Sequence, residues 1–163
     1  MPQRHSFRIK LFLAMKLQLN NDIFFAEVER LLLQGEQVTF KVRGFSMMPW
    51  LRDGRHSVVI ARHSEDDIRV GNILFFLYRD KWVMHRLHRI EGERLCFAGD
   101  GNYKQWEWVE RDAVRGVVKA IVTPGEEVIY CDDFSWRFRS KVWLMLPAII
   151  RRYILALIKR LKL

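Results

Sequence analysis

From Asn21 to Gln34 the apolar positions Phe24, Phe25, Val28, Leu31 and Leu32 recur at the spacing of one helical face. Asn21 stands where an N-cap is expected, and Gly35 supplies a C-terminal stop. Beyond Gly35 the period changes to two, with Val38, Phe40 and Val42 alternating with Gln37, Thr39 and Lys41. That pattern predicts a half-buried strand over 36–43. Further β-rich runs follow at 57–61, 72–78, 82–90, 94–98, 115–122 and 127–131. Turn signals separate them: Asp53-Gly54, Val70-Gly71, Glu91-Gly92, Gly99-Asp100-Gly101-Asn102 and Pro124-Gly125. Short strands at close spacing without intervening helices predict a mainly β fold, an antiparallel β-rich sandwich or partly closed barrel with a helix at each end.

The C-terminal pattern is helical and amphipathic. Ile149, Ile150, Tyr153, Ile154, Leu157, Ile158 and Leu161 line one face, while Arg151, Arg152, Lys159, Arg160 and Lys162 mostly occupy the other. Cations beside an apolar face suit an anionic membrane surface, with Trp143 at the start of the segment 143–163. The bland alternative is that the same face packs on the body. A spanning helix is disfavoured, because Arg151 and Arg152 near its centre would cost about 2.5–3.5 kcal/mol each. At the other end, the apolar run Leu11 to Met15 is too short for a signal-peptide core, and Met15 is a second candidate start.

The chain of 163 residues has a net charge of +9, so the placement of that charge matters. Residues 1–18 carry four basic residues and no acid, and residues 132–163 carry eight Lys/Arg against Asp132 and Asp133. The stretch 19–131 holds 16 basic and 17 acidic residues, so no basic groove runs through the body and no nucleic-acid partner is expected. Trp106 and Trp108, with Tyr103 nearby, lack the interleaved cations of a nucleic-acid platform and read as packing aromatics. Cys96 and Cys131 support neither a disulfide framework nor a zinc site, and no cofactor is called for. The expected organisation is a basic N-terminal segment over 1–20, a central β-rich domain over 21–131 and a basic amphipathic helical segment over 132–163.

Chemistry concentrates after the first strand, in Gly44-Phe45-Ser46-Met47-Met48-Pro49. Gly44 permits a sharp turn and Pro49 disfavours helix at Met48, so Ser46 is expected on a fixed turn at a strand end. Five further motifs follow in order: Asp53-Gly54 before a strand, Arg69-Val70-Gly71-Asn72-Ile73-Leu74-Phe75-Phe76, Met84-His85-Arg86-Leu87, Gly99-Asp100-Gly101-Asn102, and Val114-Arg115-Gly116-Val117-Val118. Together with the serine motif they cover about residues 40–120, and the chain resembles the signal peptidases and repressor-cleaving serine peptidases.

The resemblance implies Ser46 as nucleophile and His85 as general base. The His85-Arg86-Leu87 context is similar to the branch that uses histidine where bacterial relatives use lysine. Neutral imidazole is suited to taking a serine proton near pH 7. Asp100 is the candidate third member, sharing the alternative of a turn-capping role. A second acid is implied six residues after it, where Trp106 stands; Glu107 is adjacent but needs a shifted loop. The oxyanion hole is expected to be the Ser46 backbone N–H. His88, three residues from His85, is expected on the opposite strand face, and His56 and His63 read as surface or structural.

The expected activity is that of a serine endopeptidase cutting a peptide bound as an added strand, such as a leader or signal peptide. The alternative is a silent domain that binds peptides or anionic membrane. The family's signal peptidases present their domain from an N-terminal span, which this sequence does not show. A cytoplasmic, peripheral location on the inner membrane face is therefore expected, with a cytosolic leader peptide as substrate.

Overall fold

A computed structural model describes residues 21–160, apart from the side chains of Asn21, Asp22 and Tyr103. The readings of residues 1–20, of capping by the Asn21 side chain and of Leu161 and Lys162 lie outside that range.

The first helix, α1 (Asn21–Leu33), buries Val28 and Leu32. It closes where Gly35 N–H bonds the Leu32 carbonyl and Glu36 N–H reaches back to Leu31, which satisfies two carbonyls of the last turn. Eight strands follow: β1 (Val38–Lys41), β2 (Ser57–Ala61), β3 (Ile73–Tyr78), β4 (Lys81–Glu91), β5 (Arg94–Gly99), β6 (Asn102–Glu110), β7 (Val114–Val122) and β8 (Val128–Tyr130). All their pairings are antiparallel. They form one sheet in the order β1-β2-β7-β3-β4-β5-β6, with β8 paired to the end of β7.

Mainly antiparallel β architecture and a helix at the N-terminal end follow the sequence pattern. Strands β1 and β6 stand at opposite ends of the order and do not pair, so the described sheet is not a closed barrel. Strand β3 is buried on both faces. Ile73 and Phe75 of β3 join a core covered by α1, which also holds Val58, Ile60 and Trp136. Leu74 and Phe76 point the other way into a second core with Leu87, Leu95, Phe97, Val109 and Val117. That second core is built almost wholly from strand residues, so the sheet bends around it.

The C-terminal segment is two helices rather than one, α2 (Phe134–Met145) and α3 (Ala148–Arg160). They part at Leu146, extended with ψ 132°, because Pro147 disfavours helical backbone in the residue before it. Trp143 of α2 and Leu155 of α3 form a third cluster with Met48, and Trp50, Leu146, Ile154 and Ile158 pack against it. The broad apolar face read along 149–161 therefore divides. Ile154 and Ile158 turn toward the body, while Ile149, Ile150, Tyr153 and Leu157 stay exposed. Among the described residues no helix is long and apolar enough to cross a membrane.

This division has a measurable signature in stability. Leu155→Ala, at a buried position, is expected to lower unfolding free energy by about 2–4 kcal/mol. Leu157→Ala, at an exposed one, should stay within about 0.5 kcal/mol of the parent. Urea denaturation of the two variants side by side checks it.

Candidate functional site

The Ser46 loop is held from three directions. Gly44, at φ 93°, makes the left-handed turn out of β1, a conformation that a side chain would strain. Asp53 Oδ1 then accepts the Gly44 N–H at 2.7 Å, while Gly54 N–H bonds the Val42 carbonyl at 2.8 Å, tying both ends of the loop together. Within the loop, Phe45 O accepts the Met48 N–H at 3.2 Å and Met47 O accepts that of Leu51 at 3.0 Å. Because a peptide unit is planar, the first of these bonds also fixes the direction of the Ser46 N–H. The Met48–Pro49 peptide is cis. Ser46 itself is half-buried, between the exposed Phe45 and the buried Met47.

The third hold comes from the β5–β6 turn. Gly101 N–H donates to the Ser46 carbonyl at 2.7 Å. A Cβ on Gly101 would lie 2.6 Å from Phe45 O, and one on Gly99 would collide with the Ser46 carbonyl oxygen. Both glycines are thus required by close backbone approach. The same imaginary Cβ on Gly99 lies 3.2 Å from His85 Nε2, so the Ser46 carbonyl and the His85 ring both approach a residue without a side chain.

His85 is buried on β4, and its Nδ1 lies 2.5 Å from Glu107 Oε2. Register explains the partner. Leu87 on β4 pairs with Phe97 on β5, and Phe97 pairs with Glu107 on β6, so these three side chains share one face. His85 is two residues from Leu87 and Gly99 two from Phe97, on that same face. On that face His85 meets Glu107.

The carboxylate paired with His85 is Glu107, and Asp100 is paired with Arg86. Asp100 is fully buried against Arg86, with Nε at 2.9 Å from Oδ1 and Nη2 at 2.7 Å from Oδ2, while Arg86 Nη1 donates to the Gly71 carbonyl at 2.6 Å. The guanidinium also stands over the Trp136 ring at 5.8 Å. The shifted loop that Glu107 needs is present as an irregular pairing. Between Phe97↔Glu107 and Gly99↔Asn102, β5 advances two residues and β6 five, which brings Glu107 inward. Trp106 points away, partly exposed, with its ring 5.1 Å from His88 and beneath Arg89. Arg86 was missed as a structural residue, although its signal is in the sequence: an arginine inside the apolar strand 82–87 must find a partner when buried.

The remaining titratable groups lie elsewhere. His56 Nδ1 accepts the Arg52 N–H at 3.0 Å. Burial is the first cause that holds His56 and His63 below the ordinary histidine value. His88 is pushed down to about 4, mainly by burial and further by Arg151, Arg86 and Arg89, against the opposing pull of Asp100. Burial raises both free thiols, Cys131 to about 12, so neither supplies a ready thiolate at neutral pH. Among the described residues no group of three His, Cys, Asp or Glu side chains could hold a metal ion.

No family model matches this sequence, and no curated protein matches it either.

Two expectations follow. Asp100→Ala leaves the Arg86 guanidinium buried without its carboxylate and should cost about 3–5 kcal/mol in stability, read from chemical denaturation. His88 takes a proton more readily unfolded than folded. Its contribution is therefore fully present above about pH 6.5 and is lost as the pH falls toward about 4. The urea midpoint should drop between about pH 7 and about pH 5, and His88→Phe should reduce that drop, with His56 and His63 supplying what remains.

Proposed function

We propose that this protein is a serine endopeptidase of the signal-peptidase type, with Ser46 as nucleophile, His85 as base and Glu107 as the residue that orients the base. The observation that carries the reading is the buried His85–Glu107 contact beside the Ser46 backbone at Gly99. A carboxylate that accepts the Nδ1 proton leaves the Nε2 lone pair free on the side of Ser46. His85 then takes the Ser46 hydroxyl proton as the oxygen attacks a peptide carbonyl, and returns it to the departing amine. Water, activated by the same imidazole, cleaves the acyl-serine ester. The Ser46 N–H, directed by the Phe45 O to Met48 N–H bond, is the proposed donor to the oxyanion.

The substrate in this reading is an extended segment, such as a leader or signal peptide. Strand β1 stands at the end of the sheet order and runs straight into the Ser46 loop, which suits addition of a peptide strand alongside it.

The test is digestion of a mixture of unstructured peptides, with products identified by mass. Ser46→Ala should abolish cleavage while its unfolding curve stays close to the parent, whereas His85→Ala should abolish cleavage and also lower stability, because it leaves the buried Glu107 carboxylate without its partner. Glu107→Gln should lower kcat by about 10³- to 10⁴-fold, with KM much less affected. Cleavage within a few-fold of the parent in Ser46→Ala removes that residue from the mechanism. Absence of both turnover and covalent labelling of Ser46 by a fluorophosphonate points instead to a silent peptide-binding or membrane-binding domain.

A further inference from the structure

Helices α2 and α3 are apolar on two sides, and the structure accounts for only one. Their inner sides, through Trp143 and Leu155, close on Met48. Their outer sides leave Phe134 83%, Phe138 58%, Met145 74%, Ile149 62%, Tyr153 69% and Leu157 57% exposed. A scattered exposed apolar residue needs no explanation, but two consecutive helices that present rows of them do. Neither helix contains an acidic residue, while Arg137, Lys141, Arg152, Lys159 and Arg160 are exposed around the apolar rows. Beside α2, an open groove of about 410 Å³ is lined by Arg52, Arg55 and Arg139 and by no carboxylate.

We propose that the outer faces of α2 and α3 together dock on an anionic lipid surface. Apolar side chains would enter the acyl boundary while the surrounding cations meet the headgroups. Charge selects this occupant over two others. A second copy would set two cationic faces against each other, and residues 1–18 are themselves basic without a single acid. The anchor differs from the single C-terminal helix read from the sequence, because α2 supplies half of the face and Ile154 and Ile158 are withdrawn from it. It also places the Ser46 loop about one helix diameter, roughly 10 Å, from the lipid surface, since Met48 and Trp50 lie directly beneath the two helices. The docking does not depend on the peptidase reading, and its test measures no catalysis.

The full chain is sedimented with phosphatidylcholine vesicles prepared with and without phosphatidylglycerol. Binding is expected to the anionic vesicles alone and should weaken as salt rises. Phe138→Ser combined with Tyr153→Ser should weaken it at least tenfold without moving the unfolding midpoint, because both side chains are exposed. Arg152→Gln and Lys159→Gln should each weaken it about fivefold. No binding to anionic vesicles overturns the proposal, as does binding that ignores these substitutions. A solution dimer dispersed by the Phe138/Tyr153 pair would show that the face is covered by a second copy, which also overturns it.

Discussion

The contact between Arg86 and Asp100 is the constraint around which the rest of the structure is arranged. Both side chains are fully buried, so each charge is tolerable only because the other neutralises it at hydrogen-bond distance. Every element they bond to is thereby located. Arg86 fixes β4, its Nη1 reaches the Gly71 carbonyl at the entry to β3, and its guanidinium faces Trp136 of α2. Asp100 fixes the turn between β5 and β6. A turn of two exposed residues would ordinarily be loose. Here its carboxylate is anchored in the interior, which makes the adjoining Gly101 N–H a rigid donor to the Ser46 carbonyl.

The Ser46 loop is consequently clamped between two independent supports. On one side lies the flat backbone of Gly99 and Gly101, too close for any side chain. On the other, Met48 and Trp50 are packed under Trp143 and Leu155. The short links from Asp53 to Gly44 and from Gly54 to Val42 close its base. Such a loop has little conformational freedom left to lose, and pre-organisation of that kind is what the proposed nucleophile role requires.

Most strands were legible because their alternation or their β-branched runs stand between clear turn signals, as with Val38, Phe40 and Val42 or the run 73–78. Strand β6 was not. Its sequence Asn-Tyr-Lys-Gln-Trp-Glu-Trp-Val-Glu mixes polar and aromatic residues, and its first residue belongs to the Gly-Asp-Gly-Asn turn signal. The choice between Asp100 and Glu107 was illegible for a related reason. It depends on three additional residues in the β6 pairing, and cross-strand register is a tertiary property that no spacing along one strand reports. Helical periodicity in 149–161 located a helix and its apolar face. It could not say which half of that face would meet Met48 and which would remain outside.

His85 and Arg86 bring the two parts of the site together. As neighbours on one strand they project to opposite faces. Arg86 lies with Met84 on the side of Trp136, and His85 with Leu87 on the side of Phe97. Each meets a carboxylate contributed by the β5–β6 hairpin, Arg86 at Asp100 and His85 at Glu107. One hairpin therefore serves two ion-pairing groups without bringing them into competition, because the strand itself lies between them. The Arg86–Asp100 pair is bidentate and fully buried, a structural contact. His85 is the one of the two whose ring approaches Gly99, beside the Ser46 carbonyl. Two adjacent basic residues on one strand thus serve a structural ion pair on one face and the proposed site on the other.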